Sequence, residues 1–194
     1  GVVITLAGSG EEGLADGAST AAQFNYPTGV AVDDSGNVYV ADHYNHSIRK
    51  VTPTGEVSTI AGSGSSGNAE GTGTDAEFEY PSGVAVDGAG NVYVADYENT
   101  KIRQITPTGV VTTLAGTDES GNADGTVAEA RFYYPWGVTF APDGNLYVAG
   151  YYGHNIRKIE LGTILSGSTT GQEGTHNVSL RVTDAGGLFS DQNF

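Results

Sequence analysis

The 194 residues carry 23 acidic against 8 basic side chains, a net charge of −15, with 30 Gly, 11 Tyr, one Trp and neither Cys nor Met. No disulfide or thiol chemistry is available to such a chain, no apolar run approaches the ~18 residues of a membrane-spanning helix, and scattered cations in so acidic a field repel nucleic-acid backbones and anionic membranes. Apolar residues at 38% suffice for a packed core, and the abundance of Gly and Tyr over helix formers points to an all-β protein.

The chain opens at Gly1 without Met or a charged-then-apolar leader, which suggests a processed exported product or an excised piece. Val2 to Ala7 is a strand pattern whose nearest likeness is Val57 to Ala61 further along. A fixed period explains that likeness. Pro27, Pro81 and Pro135 stand 54 residues apart, and the spacing holds through Gly29, Gly83 and Gly137, through Tyr39, Tyr93 and Tyr147, and through Arg49, Arg103 and Arg157. Three copies of one unit therefore begin near Thr5, Thr59 and Thr113. In the first copy, Gly29 to Asp33 reads as a strand, Asp34-Ser35-Gly36 as a turn, and Asn37 to Asp42 as a second strand. Ser47 to Thr52 follows, then Pro53-Thr54-Gly55, then Val57 to Ala61, giving four short strands per unit, the content of a propeller blade. The first two strands are apolar on both faces, as sheets sandwiched between neighbours require. The third copy loses the pattern after Ile159, and its own fourth strand falls at Gly162 to Ser166 without the Thr-Pro-Thr-Gly turn. Residues 1–161 thus form the repeat region and 162–194 a Gly/Ser/Thr-rich linker with a strand, turn and strand start over Thr175 to Leu188.

Pro27-Thr28-Gly29-Val30-Ala31-Val32-Asp33, Gly36-Asn37-Val38-Tyr39-Val40-Ala41-Asp42 and Asn45-His46-Ser47-Ile48-Arg49-Lys50 resemble the NHL repeat, a β-propeller unit, in its long bacterial variant with a glycine-rich connector. The resemblance covers about residues 1–161 and implies a propeller of four-stranded blades, three of them here. Closed propellers need about four to eight blades, so three leave two apolar faces open. Val2, Val3, Ile4 and Leu6 would then be an assembly strand that completes a blade of another chain, either closing a six-bladed dimer or propagating a filament. The tail resembles the last hairpin of an immunoglobulin-like or cadherin-like module, and covers about a third of one.

The chemistry is sparse. His46 and His154 occupy equivalent positions and raise the metal-dependent lyase or lactonase activity known on such propellers, yet copy two has Thr100 there and a zinc site needs three converging ligands. The acidic turns at Asp33 to Asn37 and Glu119 to Gly125 carry oxygen ligands suited to calcium but lack the spacing of a dedicated loop. Asp42 with Arg49 and Asp96 with Arg103 flank one hairpin loop; in copy three the acid is Gly150, which frees Arg157. Connectors and second-to-third-strand loops emerge on one side, which gathers His43, Tyr44, Tyr97, Trp136, Tyr151, Tyr152, His154 and Arg157 into a candidate binding face. Tyr26, Tyr80 and Tyr134 recur in every copy and read as packing between blades. The expectation is an extracellular, non-enzymatic binding and assembly module of bacterial origin, without cofactor or nucleic acid, taking protein or carbohydrate ligands.

Overall fold

The computed structural model describes residues 1–162, 179–183 and 189–193. It divides into two compact units, Gly1–Gly162 and Thr163–Phe194. In the first unit each repeat builds one antiparallel sheet. The first sheet joins β1 (Gly17–Ala18), β2 (Pro27–Val32), β3 (Val38–Asp42), β4 (Ser47–Val51) and β5 (Glu56–Ala61) in the order β1-β5-β4-β3-β2. The second repeats it with β6 (Gly71–Thr72), β7 (Pro81–Val86), β8 (Val92–Asp96), β9 (Lys101–Ile105) and β10 (Val110–Ala115), and the third contains β11 (Pro135–Phe140), β12 (Leu146–Gly150) and β13 (Asn155–Ile159).

The turns follow from their side chains. Asp33 Oδ1 accepts the N–H groups of Ser35 and Asn37, each at 2.9 Å, Oδ2 accepts the Asn37 amide and the Tyr39 hydroxyl, and Gly36 supplies a φ of +80°. Asp87 does the same in the second sheet. These carboxylates are saturated by their own turn, which is why they read as turn formers and not as calcium ligands.

One strand in each of the first two blades was not foreseen. The glycine-rich connector, expected as a loop, lays Gly17–Ala18 and Gly71–Thr72 on the outer edges of β5 and β10. The cause is a carboxylate: Asp16 Oδ2 accepts the Thr59 N–H at 3.0 Å and Glu70 Oε1 accepts that of Thr113 at 2.6 Å, drawing the connector onto the edge and covering it.

The core lies between the sheets. Tyr39, Ala41, Ile48 and Ala61 pack against Phe78, Val84, Val94, Ile105 and Val111 of the next blade. Ala85, Tyr93, Ala95, Ile102 and Ala115 repeat this against Phe132, Leu146, Val148 and Ile159. The innermost strands meet backbone to backbone. A Cβ on Gly29 would stand 2.5 Å from the Ser82 carbonyl oxygen, and one on Gly83 2.5 Å from that of Trp136, so only Gly fits there. The Thr28 and Ser82 hydroxyls donate to those same two carbonyls at 2.8 Å.

Among the described residues of the first unit, the outermost faces have no neighbour. Val30 and Val32 are 68% and 60% exposed, and Ile156 is 71% exposed where Ile48 and Ile102 are fully buried. Val2 to Leu6, expected as an assembly strand, joins no sheet among the described residues, and Val2, Val3 and Ile4 are exposed.

In the second unit β14 (Ser179–Thr183) pairs antiparallel with β15 (Phe189–Asn193), from Ser179↔Asn193 to Thr183↔Phe189. The hairpin agrees with the pattern in the tail, but the immunoglobulin-like resemblance gains no support: two five-residue strands are common to many folds. The expected fourth strand of copy three lies, past Gly162, outside the described residues, as does the linker.

Candidate binding surface

At the connector end of each blade the chain turns from the second strand to the third through a tight left-handed corner. His46, Thr100 and His154 hold φ values of +48°, +54° and +50° at this corner. Asn and His accept that conformation more readily than most residues, which accounts for His46 and His154 by backbone geometry. His46 Nδ1 accepts the Tyr80 N–H at 3.2 Å, so its proton sits on Nε2. Burial keeps this imidazole below its ordinary pKa, against the opposing charge of Glu79. His43 is in the other tautomer: its Nδ1–H donates to the Pro81 carbonyl at 3.0 Å. Among the described residues no three His, Asp or Glu side chains converge as metal ligands, and His154 stands exposed.

Tyr26, Tyr80 and Tyr134 also share a left-handed backbone, φ +50° to +54°, immediately before a proline. That costs on the order of 1–3 kcal/mol each, and what it achieves is aim. Tyr80 reaches His43, Tyr44 and His46 of the preceding blade, and Tyr134 reaches Tyr97. Tyr26, with no preceding blade, is 67% exposed.

The rings form one continuous terrace across the three blades. It runs from Tyr26 to Tyr44 (4.8 Å between centroids), through His43 to Trp136 (5.9 Å), and on to Tyr151 (5.6 Å) and Tyr152 (4.9 Å). Tyr97 sits edge-on to Trp136 at 5.4 Å, with its phenol pushed up to about 12, chiefly by burial and next by Tyr152 and Glu98. It therefore remains a neutral donor. Tyr44, Trp136, Tyr151 and Tyr152 are each exposed by a third to a half of their surface.

Of the eight residues expected on this face, six (His43, Tyr44, Tyr97, Trp136, Tyr151 and Tyr152) meet in the terrace. His154 makes no ring contact with it. Arg157 is not the free cation expected from Gly150: it donates to the carbonyls of Arg131 and Ala123, pairs with Asp124 at 2.7 Å and lies over the Phe132 ring at 5.1 Å. Its partner comes from the connector, 33 residues upstream, where hairpin spacing gave no hint. Tyr133 joins the terrace against Tyr134 and Tyr152 and was missed. It replaces Asn25 and Glu79 of the other copies, the same copy-specific signal that singled out Trp136.

Beneath the terrace a buried polar knot fixes the connectors. Asp42 accepts the Asn25 N–H at 2.7 Å, the Asn45 amide at 2.8 Å and Arg49 Nη1 at 2.6 Å, while Arg49 also binds the Gln23 and Ala15 carbonyls and Asp16. Asp96 and Arg103 repeat the knot at 3.0 Å, both fully buried. The sequence set these acids and arginines on either side of one hairpin loop, and they do pair across it; what it could not show is that the connector folds over them.

The NHL repeat pattern matches residues 24–51, 78–105 and 132–159. The chain thus carries three NHL repeats, and its first unit is part of a β-propeller made of three NHL-type blades. Protein SUPPRESSOR OF QUENCHING 1, chloroplastic, of Arabidopsis thaliana is 31% identical over 173 residues, 83% of this chain and 16% of that protein. NHL repeat-containing protein 2 of Bos taurus is 40% identical over 95 residues, 47% of this chain and 13% of that protein. The chain therefore spans about one sixth or less of these curated relatives. An auxiliary nutrient binding protein from Bacteroides thetaiotaomicron superposes with a TM-score of 0.62 at 25% identity, over 68% of this chain and 36% of that one.

Proposed function

We propose that this chain is a non-enzymatic binding module that takes a neutral carbohydrate on its aromatic terrace. The observation that carries the reading is the continuity of partly exposed rings from Tyr26 to Tyr152 across all three blades. Flat apolar rings edged by phenol hydroxyls suit sugars, whose C–H faces stack on aromatic faces and whose hydroxyls take hydrogen bonds. A surface at −15 disfavours polyanionic ligands and leaves neutral ones. The likeness to a nutrient-binding protein supports binding over turnover and a site of action outside a bacterial cell.

Trp136 is the sole tryptophan, so the terrace carries its own fluorescent reporter. Titration with neutral oligosaccharides and polysaccharides is expected to shift or quench its emission. Trp136→Tyr should abolish that signal while calorimetry still registers binding, and Tyr151→Ala with Tyr152→Ala should weaken binding at least about tenfold at an unchanged fold. No response to any neutral glycan, or binding indifferent to the double substitution, overturns the proposal.

A further inference from the structure

The outer strands of the first two blades sit in a slot. β5 lies between β4 and Gly17–Ala18, β10 between β9 and Gly71–Thr72, and a connector carboxylate receives one strand N–H in each. The third blade has the same surroundings and no strand among the described residues. β13 ends its sheet, Gly125-Thr126 hold the repeat position of Gly17–Ala18, and Asp124 holds Arg157 as Asp16 holds Arg49. The residues that follow β13 at the period of 54 are Leu165-Ser166-Gly167-Ser168-Thr169, which keep neither the threonine that meets the carboxylate nor the alanine that ends the strand. Val3-Ile4-Thr5-Leu6-Ala7 keeps both, against Val57-Ser58-Thr59-Ile60-Ala61 and Val111-Thr112-Thr113-Leu114-Ala115.

The exit from that segment is also conserved among the three copies. Gly8 has a φ of +108° and donates to the Ser19 carbonyl at 2.9 Å; Gly62 and Gly116 have +102° and +105° and donate to Gly73 and Val127. Val2 to Ala7 therefore stands to blade one as β5 stands to blade two. A chain that places this segment in a third-blade slot must at the same time seat its first blade on that third blade.

We propose that in the 194-residue chain the slot is filled by Val2 to Ala7 of a second copy, and that two copies close one six-bladed ring by exchanging these strands. The register is fixed by the two internal examples, Lys50↔Ser58 with Arg49↔Thr59, and Gln104↔Thr112 with Arg103↔Thr113. It sets Val3 of the second copy opposite Ile159, Ile4 opposite Lys158 and Thr5 opposite Arg157, with the Thr5 N–H on Asp124. Ile156, Tyr147 and Ala149 then cover the Val30 face of the second copy, as Ile48, Tyr39 and Ala41 cover Val84. Gly137, whose Cβ would now meet only Ala149 at 3.6 Å, comes against the Thr28 carbonyl as Gly29 and Gly83 come against Ser82 and Trp136. Two copies satisfy both slots and both faces at once, and after the first exchange the second is intramolecular, which favours the ring over a growing filament.

Light scattering of the intact chain at ~50 μM, well above a micromolar dissociation constant, is expected to give twice the 19.9 kDa chain mass. Gly137→Ala has room in the single chain and no room in the ring, so it should leave the circular dichroism unchanged and raise the dimer dissociation constant at least about tenfold. The chain lacks cysteine, so Ile4→Cys with Lys158→Cys should form an interchain disulfide on oxidation, and the out-of-register pair Ile4→Cys with Glu160→Cys should not. A monomer, a ladder of larger species, equal cross-linking by both pairs, or a Gly137→Ala variant that dimerises as well as the parent each overturns the proposal.

Discussion

Replacing Asp96 by alanine removes the counter-charge from an arginine that has no contact with solvent. Asp96 and Arg103 form an ion pair at 3.0 Å in which neither side chain is accessible. At an effective dielectric of about 20, unit charges at this separation attract by about 5 kcal/mol. Burial nonetheless pushes the Asp96 carboxyl up to about 6, against the pull of the Glu79 N–H, Asn99 and Arg103, so taking the acid out of water outweighs the attraction it finds there. The pair is therefore not a strong net stabiliser. Its deletion by halves is another matter, because Arg103 keeps its desolvation and loses its acid, and the Glu79 N–H at 2.8 Å loses its acceptor. Asp96→Ala should destabilise the first unit by about 3–5 kcal/mol, a large part of a typical domain's 5–15 kcal/mol, and lower its melting temperature by roughly 10 °C. Asp96→Ala combined with Arg103→Met should recover most of that loss. Urea unfolding followed by circular dichroism at pH 7 measures both. A loss below about 1 kcal/mol for the single change, or a double variant as unstable as the sum of its parts, refutes the account of a stranded charge.

Phe78, fully buried between the first two blades beneath Arg103, should cost about 3–5 kcal/mol on truncation to alanine in the same unfolding experiment. Gly83→Ala drives a methyl to 2.5 Å from the Trp136 carbonyl and must part blades two and three; amide hydrogen exchange should show β7 and β11 losing protection together, and unchanged protection would disprove the contact. Acidification supplies a signed test. The His46 pKa is lowered on folding, so its neutral form stabilises the native state above the ordinary imidazole pKa of about 6.5, and that contribution is lost as pH falls through the depressed value. His46→Asn, which can keep the left-handed corner and the acceptor for the Tyr80 N–H, should therefore gain on the parent as pH drops from 7 to 5; a pH-independent difference rejects the tautomer assignment.

The sequence alone determined the repeat, its phase and the blade. A spacing of 54 through Pro, Gly, Tyr and Arg leaves one solution for which strand follows which, and strands apolar on both faces admit only sandwiched sheets. Strand limits came within two residues because the turns are written in Asp, Gly and Pro, whose local hydrogen bonds and dihedrals act without help from the rest of the fold. The aromatic terrace was half legible: Trp136, Tyr151 and Tyr152 stand out as departures from the repeat, while the recurring Tyr80 and Tyr134 look purely structural until their left-handed backbone is seen to aim them at the neighbouring blade. Tertiary structure decided what lies far apart in sequence. The fifth strand on each edge, the arginines buried under the connectors and the capture of Arg157 by Asp124 all join residues 33 to 43 apart. No period or local pattern encodes such contacts, because they depend on how a flexible glycine-rich connector folds back over the sheet, and only packing fixes that path.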